Sequence, residues 1–204
     1  MPKTRRTQDE RRASTMRKVV DAATDALIAV GYAEASVQEV CKRAGVSTGG
    51  LFRHFATREA LMVAVGQDVG AKLLARYRRD FEALAGEREP LELALRLVRS
   101  SCRSQLNQAW YELAMAARTN KRLHAALGPM AERYYADIAA LARELLPELA
   151  DVLGEYFPIM VSTIIAVFDG EVVHRFMMKK PIIEEARVQL LLSITRQLIA
   201  HARK

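Results

Sequence analysis

Apolar side chains recur along most of the chain at three- and four-residue intervals, and nowhere do they alternate with polar ones over the length of a strand. That pattern predicts an all-α protein. Met16, Val20, Ala23, Leu27 and Val30 keep helical spacing and predict a first helix over about 14–30, with Gly31 as its stop. Ser36-Val37-Gln38-Glu39 has the form of a capping box, in which the Ser and Glu side chains each satisfy a free backbone N–H of the other residue, and it opens a second helix that runs to about Arg43. The turn Ala44-Gly45-Val46 leads to Ser47, the N-cap of a third helix that starts at Thr48, with Val46 placed to staple against Leu51. Steps of 100° per residue bring Leu51 and Phe55 to one face, to be packed on the first two helices. They leave Gly49 and Arg53 on the opposite face, with Phe52 and His54 on its flanks. Two short helices joined by a tight glycine-containing turn make a helix-turn-helix.

A fourth helix is predicted over about 57–79, capped by Thr57. The stretch GEREP at 86–90 is the clearest break, and helices follow at about 90–106, 108–119, 121–146, 158–178 and 182–203. The segment PIMVSTIIAVFDGEVVHRFMM is too apolar for an ordinary surface helix, and Leu191, Ile194 and Leu198 form a seam on the last helix. Both need a partner, either the protein's own core or a second subunit. The expected organisation is a basic arm with a helix-turn-helix domain over 1–62, followed by a larger helical domain over 63–204.

Charge sharpens this division. Residues 1–80 hold fifteen Lys and Arg against nine Asp and Glu, whereas residues 81–204 hold sixteen against fifteen. A positive excess confined to the region of the helix-turn-helix points to a polyanionic partner, with a merely solvated tail as the alternative. The adjacent Gly49 and Gly50 fit the same partner. Each glycine inside a helix costs about 1 kcal/mol relative to alanine. A bare first turn lets backbone N–H groups approach a phosphate or a base edge closely. Relief of crowding against a neighbouring helix is the competing explanation.

The span DAATDALIAVGYAEASVQEVCKRAGVSTGGLFRHFATREAL, residues 21–61, resembles the N-terminal domain of the TetR family of transcriptional regulators. Ala22-Ala23, Gly31-Tyr32, Ala44-Gly45-Val46-Ser47, Gly49, Leu51, His54-Phe55 and Glu59-x-Leu61 carry the resemblance, with the family's spacing intact. Phe52 stands where the family usually has a phosphate-binding Tyr, Arg58 where it usually has Lys, Val40-Cys41 where it has Ile-Ala, and Ala35 where Thr is common. The resemblance implies a homodimer that binds a roughly palindromic double-stranded DNA operator. Ser47, Thr48, Gly49, Gly50, Phe52, Arg53 and His54 would lie at the DNA, Arg58 on a phosphate, and the arm at Arg5 and Arg6 would add affinity. It further implies that the fourth helix links DNA to ligand, and that the last two helices pair across a two-fold axis. The interface candidates on them are Val173, Phe176, Leu191, Ile194 and Leu198.

The C-terminal part offers Trp110, Tyr111, Met115, Tyr134, Phe168 and His174 as candidates to line a small-molecule cavity, each of which would serve equally as plain core. Cys41 and Cys102 sit outside any metal or redox spacing and suit reduced thiols in a cytoplasmic protein. The basic N-terminus has no apolar stretch behind it to act as a signal peptide. The apolar run YFPIMVSTIIAVF is shorter than the roughly 20 residues of a membrane span. No catalytic constellation, metal site or cofactor motif has supporting context, so no enzyme, no metal and no cofactor is expected. The expected function is a ligand-responsive repressor released by a small, largely apolar molecule. The alternatives are a constitutive or activating DNA binder without an inducer and, further off, a helical enzyme or small-molecule carrier.

Overall fold

The computed structural model describes residues 7–83 and 90–202 and contains ten helices, with no strand among those residues. The arm at Arg5 and Arg6 and the 86–89 part of the expected break lie outside them. The chain divides into two compact units, residues 1–71 with 105–131 and residues 72–104 with 132–204. This division differs from the expected boundary after residue 62, because helices late in the sequence return to complete the first unit.

In the first unit, α1 (Gln8–Glu34) starts six residues before the expected Ser14. Its start is fixed by a capping box upstream of the apolar pattern: Thr7 Oγ1 accepts from the Glu10 N–H, and the Glu10 carboxylate accepts from the Thr7 N–H at 2.9 Å. Gly31 interrupts the helix with φ 74° and ψ 172°, a conformation that costs an L side chain on the order of 1–3 kcal/mol. Next come α2 (Val37–Ala44), α3 (Thr48–Phe52) and α4 (Arg58–Glu82), the last of which passes from the first unit to the second at residue 72. α6 (Gln105–Thr119) packs along α1, and the start of α7 (Lys121–Leu145) lays Met130 and Leu127 over Gly66 of α4. Val19, Ala23, Leu27, Val40, Leu51, Leu61, Met62, Leu113 and Leu123 make the core of this unit.

The second unit contains the rest of α4 and α7 together with α5 (Pro90–Cys102), α8 (Pro147–Leu153), α9 (Tyr156–Met177) and α10 (Pro181–Ala202). α8 was not expected. Pro147 suits its first turn, where a missing N–H costs nothing, and Gly154 at φ 53° ends it. α9 is long enough, and over an 18-residue window apolar enough, with mean hydropathy 1.5, to cross a membrane, which the shorter uncharged run did not suggest. Its Glu171 is nonetheless the centre of a buried ion cluster. The carboxylate accepts from Arg99 at 2.8 Å, from Arg103 of the turn after α5, and from Arg187 of α10. Glu184 holds Arg103 and Arg175, and Glu185 holds Arg96. Burial pushes the Glu171 carboxyl up, but the guanidiniums outweigh it and hold the group below the ordinary carboxylate value. Only 28% of the apolar window of α9 is buried, and the ionised Glu171 on its buried side is matched by guanidiniums.

Candidate nucleic-acid interface

Capping makes the helix-turn-helix. Ser36 Oγ accepts from the Glu39 N–H, which starts α2. The reciprocal half expected of a capping box is absent, because the Glu39 carboxylate turns to Arg43 at 2.7 Å and the Ser36 N–H donates to the Glu34 carbonyl. Gly45 ends α2 in the left-handed region at φ 64°, with nothing near its Cα that a side chain would strike, so backbone conformation alone selects glycine there. Ser47 Oγ then accepts from the Gly50 N–H at 3.0 Å and starts α3. Thr57 does the same for Ala60 at the head of α4.

α3 is only five residues long, so it aligns few peptide dipoles, and the presented side chains matter more than a helix field. Leu51 and Phe55 are buried as expected, and Ser47, Thr48, Gly49, Phe52 and Arg53 are exposed. The two glycines differ. A Cβ at Gly49 would meet nothing within 4 Å, whereas one at Gly50 would lie 3.2 Å from the capping Ser47 Oγ. Neither glycine is crowded by a neighbouring helix, and the contact at Gly50 is with its own cap, a position held by Glu10, Glu39 and Ala60 at the other caps. His54 is half-buried, with Nδ1 enclosed and lacking a hydrogen-bond partner.

Arg58 requires a correction. Its guanidinium donates to the carbonyls of Tyr32 and Ala35 and lies 4.1 Å above the Tyr32 ring, so it caps the frayed end of α1 instead of reaching outward to a phosphate. A second group missed in the sequence acts on the same end. The Glu112 carboxylate, from α6, accepts from the Tyr32 N–H at 2.8 Å and stands 3.1 Å from where a Gly31 Cβ would be. The carbonyls and N–H released by the break at Gly31 thus find a cation from one helix and an anion from another.

The family model of bacterial regulatory proteins of the TetR family matches residues 19–65, the span that holds these caps and turns. The HTH-type transcriptional regulator Rv2912c of Mycobacterium tuberculosis is 36% identical over 189 residues, which cover 93% of this chain and 96% of that one. The chain belongs to the TetR family of transcriptional regulators. A transcriptional regulator of known structure from Pseudomonas aeruginosa PAO1 shares the fold with a TM-score of 0.69 at 22% identity, covering 98% of this chain and 95% of its own. So does the multidrug binding protein EbrR complexed with ethidium, with a TM-score of 0.66 at 22% identity, over 88% and 96% of the two chains. The helix-turn-helix of this TetR-family protein is thus its DNA-binding element.

Away from that element, the TetR-family chain places the six ligand candidates in scattered settings. Trp110 is buried in the first unit, Tyr111 accepts from Asn107 Nδ2 at 2.9 Å, and Met115 is exposed. In the second unit Tyr134 and Phe168 are buried and His174 is exposed. None of the six lines the partly open apolar cavity of the second unit, which is walled by Tyr77, Leu95, Val98, Ile138, Leu141, Ile164 and further apolar residues. The interface candidates all belong to the second unit: Val173, Phe176, Ile194 and Leu198 are exposed and Leu191 is half-buried, with Met177, Ile182 and Leu190 exposed on the same two helices. Both thiols are buried and neither forms a disulfide.

Proposed function

We propose that this TetR-family regulator is a cytoplasmic, ligand-responsive repressor that binds a palindromic operator as a homodimer through Thr48, Gly49, Phe52 and Arg53, with Ser47, Gly50 and His54 shaping the same turn. The observation that carries the reading is Gly49. It sits in the first turn of an exposed helix, at a cost in helix stability that nothing in the protein's own packing requires. Its bare backbone and the exposed Arg53 suit the approach of a DNA groove. The arm at Arg5 and Arg6 would add contacts to phosphates without sequence preference.

Dimer formation is supported by the exposed apolar residues of α9 and α10, more than a lone monomer surface needs. Response to a small molecule is supported by the apolar cavity of the second unit, and by a structural neighbour, EbrR, that is crystallised with imidazole and with ethidium.

Selection of binding sites from random double-stranded DNA tests the whole reading. The expected outcome is a two-fold symmetric consensus, and Arg53→Ala should weaken binding to it by about 1–3 kcal/mol if Arg53 reads a base. Enrichment without a consensus, or an undiminished affinity in folded Arg53→Ala, defeats the proposal.

A further inference from the structure

The chain passes from α1 to the helix-turn-helix through one short turn. Gly31 breaks α1, Ala35 ends it with its N–H on the Gly31 carbonyl, and Ser36 already caps α2. Residues 31–35 therefore set the direction in which α2 leaves, and the turn at Gly45 carries that direction on to α3. The polar groups of residues 31–35 are held by two side chains from elsewhere in the same unit. Arg58, next to the helix-turn-helix in sequence, donates to the Tyr32 and Ala35 carbonyls. The Tyr32 N–H is left for Glu112, eighty residues further on, at 2.8 Å.

Glu112 is well placed for that bond. Its neighbours Ala109, Trp110 and Leu113 are buried, so α6 is anchored and presents the carboxylate from a fixed backbone. The Tyr32 N–H is the one polar partner of Glu112 among the described residues, and no cation there neutralises it. Gly31 leaves it room, because a Cβ would lie 3.1 Å from the carboxylate, besides straining a backbone at φ 74°. A residue of α1 and a residue of α6 are thus fitted to one another at the point from which the helix-turn-helix is aimed.

We propose that Glu112 is a positioning residue for operator recognition, which touches no DNA and acts through the Tyr32 N–H to fix the turn that orients α2 and α3 against α1. The proposal rests on the operator-binding reading above. Without its acceptor the turn relaxes in the free protein and operator binding has to restore it, so operator affinity falls. Binding to random DNA depends on charge and not on a fixed reading helix, and is spared.

Selection of a site with the unsubstituted protein judges the operator-binding reading, and comparison of variants on that site judges Glu112. Glu112→Ala should lower operator affinity about tenfold, the scale of one donor left without a partner, with affinity for random DNA unchanged or raised by the loss of a negative charge. Glu112→Gln removes the same charge but keeps an amide oxygen to accept from Tyr32, and should restore most of the operator affinity. Amide hydrogen exchange over residues 31–36 should quicken in Glu112→Ala and not in Glu112→Gln. Should Glu112→Ala lower the unfolding midpoint, Glu112→Met withdraws the acceptor while keeping the side-chain volume, and should show the same loss. Operator affinity undiminished in both Glu112→Ala and Glu112→Met overturns the assignment. So does a loss in Glu112→Gln as large as in Glu112→Ala, which makes the charge and not the bond responsible, or an equal fall for operator and random DNA, which marks a general loss of folded protein.

Discussion

The two units hold their polar groups in different ways. In the first, side chains satisfy helix ends a few residues away: Thr7 serves Glu10, Ser36 serves Glu39, Ser47 serves Gly50 and Thr57 serves Ala60. These caps lie at or near the surface, and each acts on its own helix. In the second unit, ionised groups far apart in sequence meet across helices, as when Arg99 and Arg103 reach the buried Glu171 and, nearer the surface, Arg96 reaches Glu185. Local caps set where short helices begin and leave their outer faces free for a partner. Long-range buried pairs tie helices to one another and make removal of either partner costly. A reading head needs the first kind of order, and a body that holds its shape around a cavity needs the second.

The contrast is broken most severely at Glu171. Glu171→Ala leaves three arginines short of an anion in a buried setting and should cost about 3–5 kcal/mol in chemical unfolding. Acid should act on the same cluster. Glu171, Glu184 and Glu185 are all held below the ordinary carboxylate value, the first two by guanidiniums and, for Glu184, the Lys180 N–H, against the effect of burial, and Glu185 chiefly by its bond from Arg96. Their contribution is therefore complete above about pH 4.3 and is lost as pH falls through the depressed values of the folded state. Glu171→Gln should flatten that loss in an unfolding series run from pH 6 to pH 2, and an unchanged slope would show that the cluster does not govern acid stability.

Gly31 is the place where the first unit departs from its own local rule, because its break is held by Glu112 from α6. Gly31→Ala combines an unfavourable backbone with a crowded carboxylate and should cost on the order of 1–3 kcal/mol. Ser47→Ala removes one cap and should cost about 1 kcal/mol, while Ser47→Gly costs only a few tenths. The smallest effect has the opposite sign. Gly49→Ala should stabilise the free protein by about 0.5–1 kcal/mol and at the same time weaken operator binding. An alanine variant that is more stable and binds DNA undiminished would detach Gly49 from the interface.

The same contrast governs what could be foreseen from the residues. Caps at Ser36, Ser47 and Thr57 act over three positions, so their pattern is visible in the chain, as is the burial of Leu51 and Phe55 at helical spacing. The Thr7–Glu10 box was equally visible but lay upstream of the first apolar repeat, which drew the expected start of α1 to Ser14. A seven-residue helix such as α8 is too short to show a period. Arg58 reads as a phosphate contact in the sequence because its carbonyl partners lie more than twenty residues earlier, and no local signal names them. Cavity walls are harder still. Leu95, Ile138 and Ile164 come from three helices and look like any core residue until folding leaves a gap between them.

The return of α6 and the start of α7 to the first unit bears on how such regulators can be recombined. Exchange of reading heads between relatives at the end of the helix-turn-helix region would separate Tyr32 from Glu112 and Gly66 from Met130. A chimaera built that way inherits an α1 terminus facing a foreign carboxylate, or none, and a glycine notch with no side chain cut to fill it. Residues 105–131 therefore have to travel with the head, and a transplant made of these two separate stretches, not of one contiguous piece, is the unit that keeps its own packing.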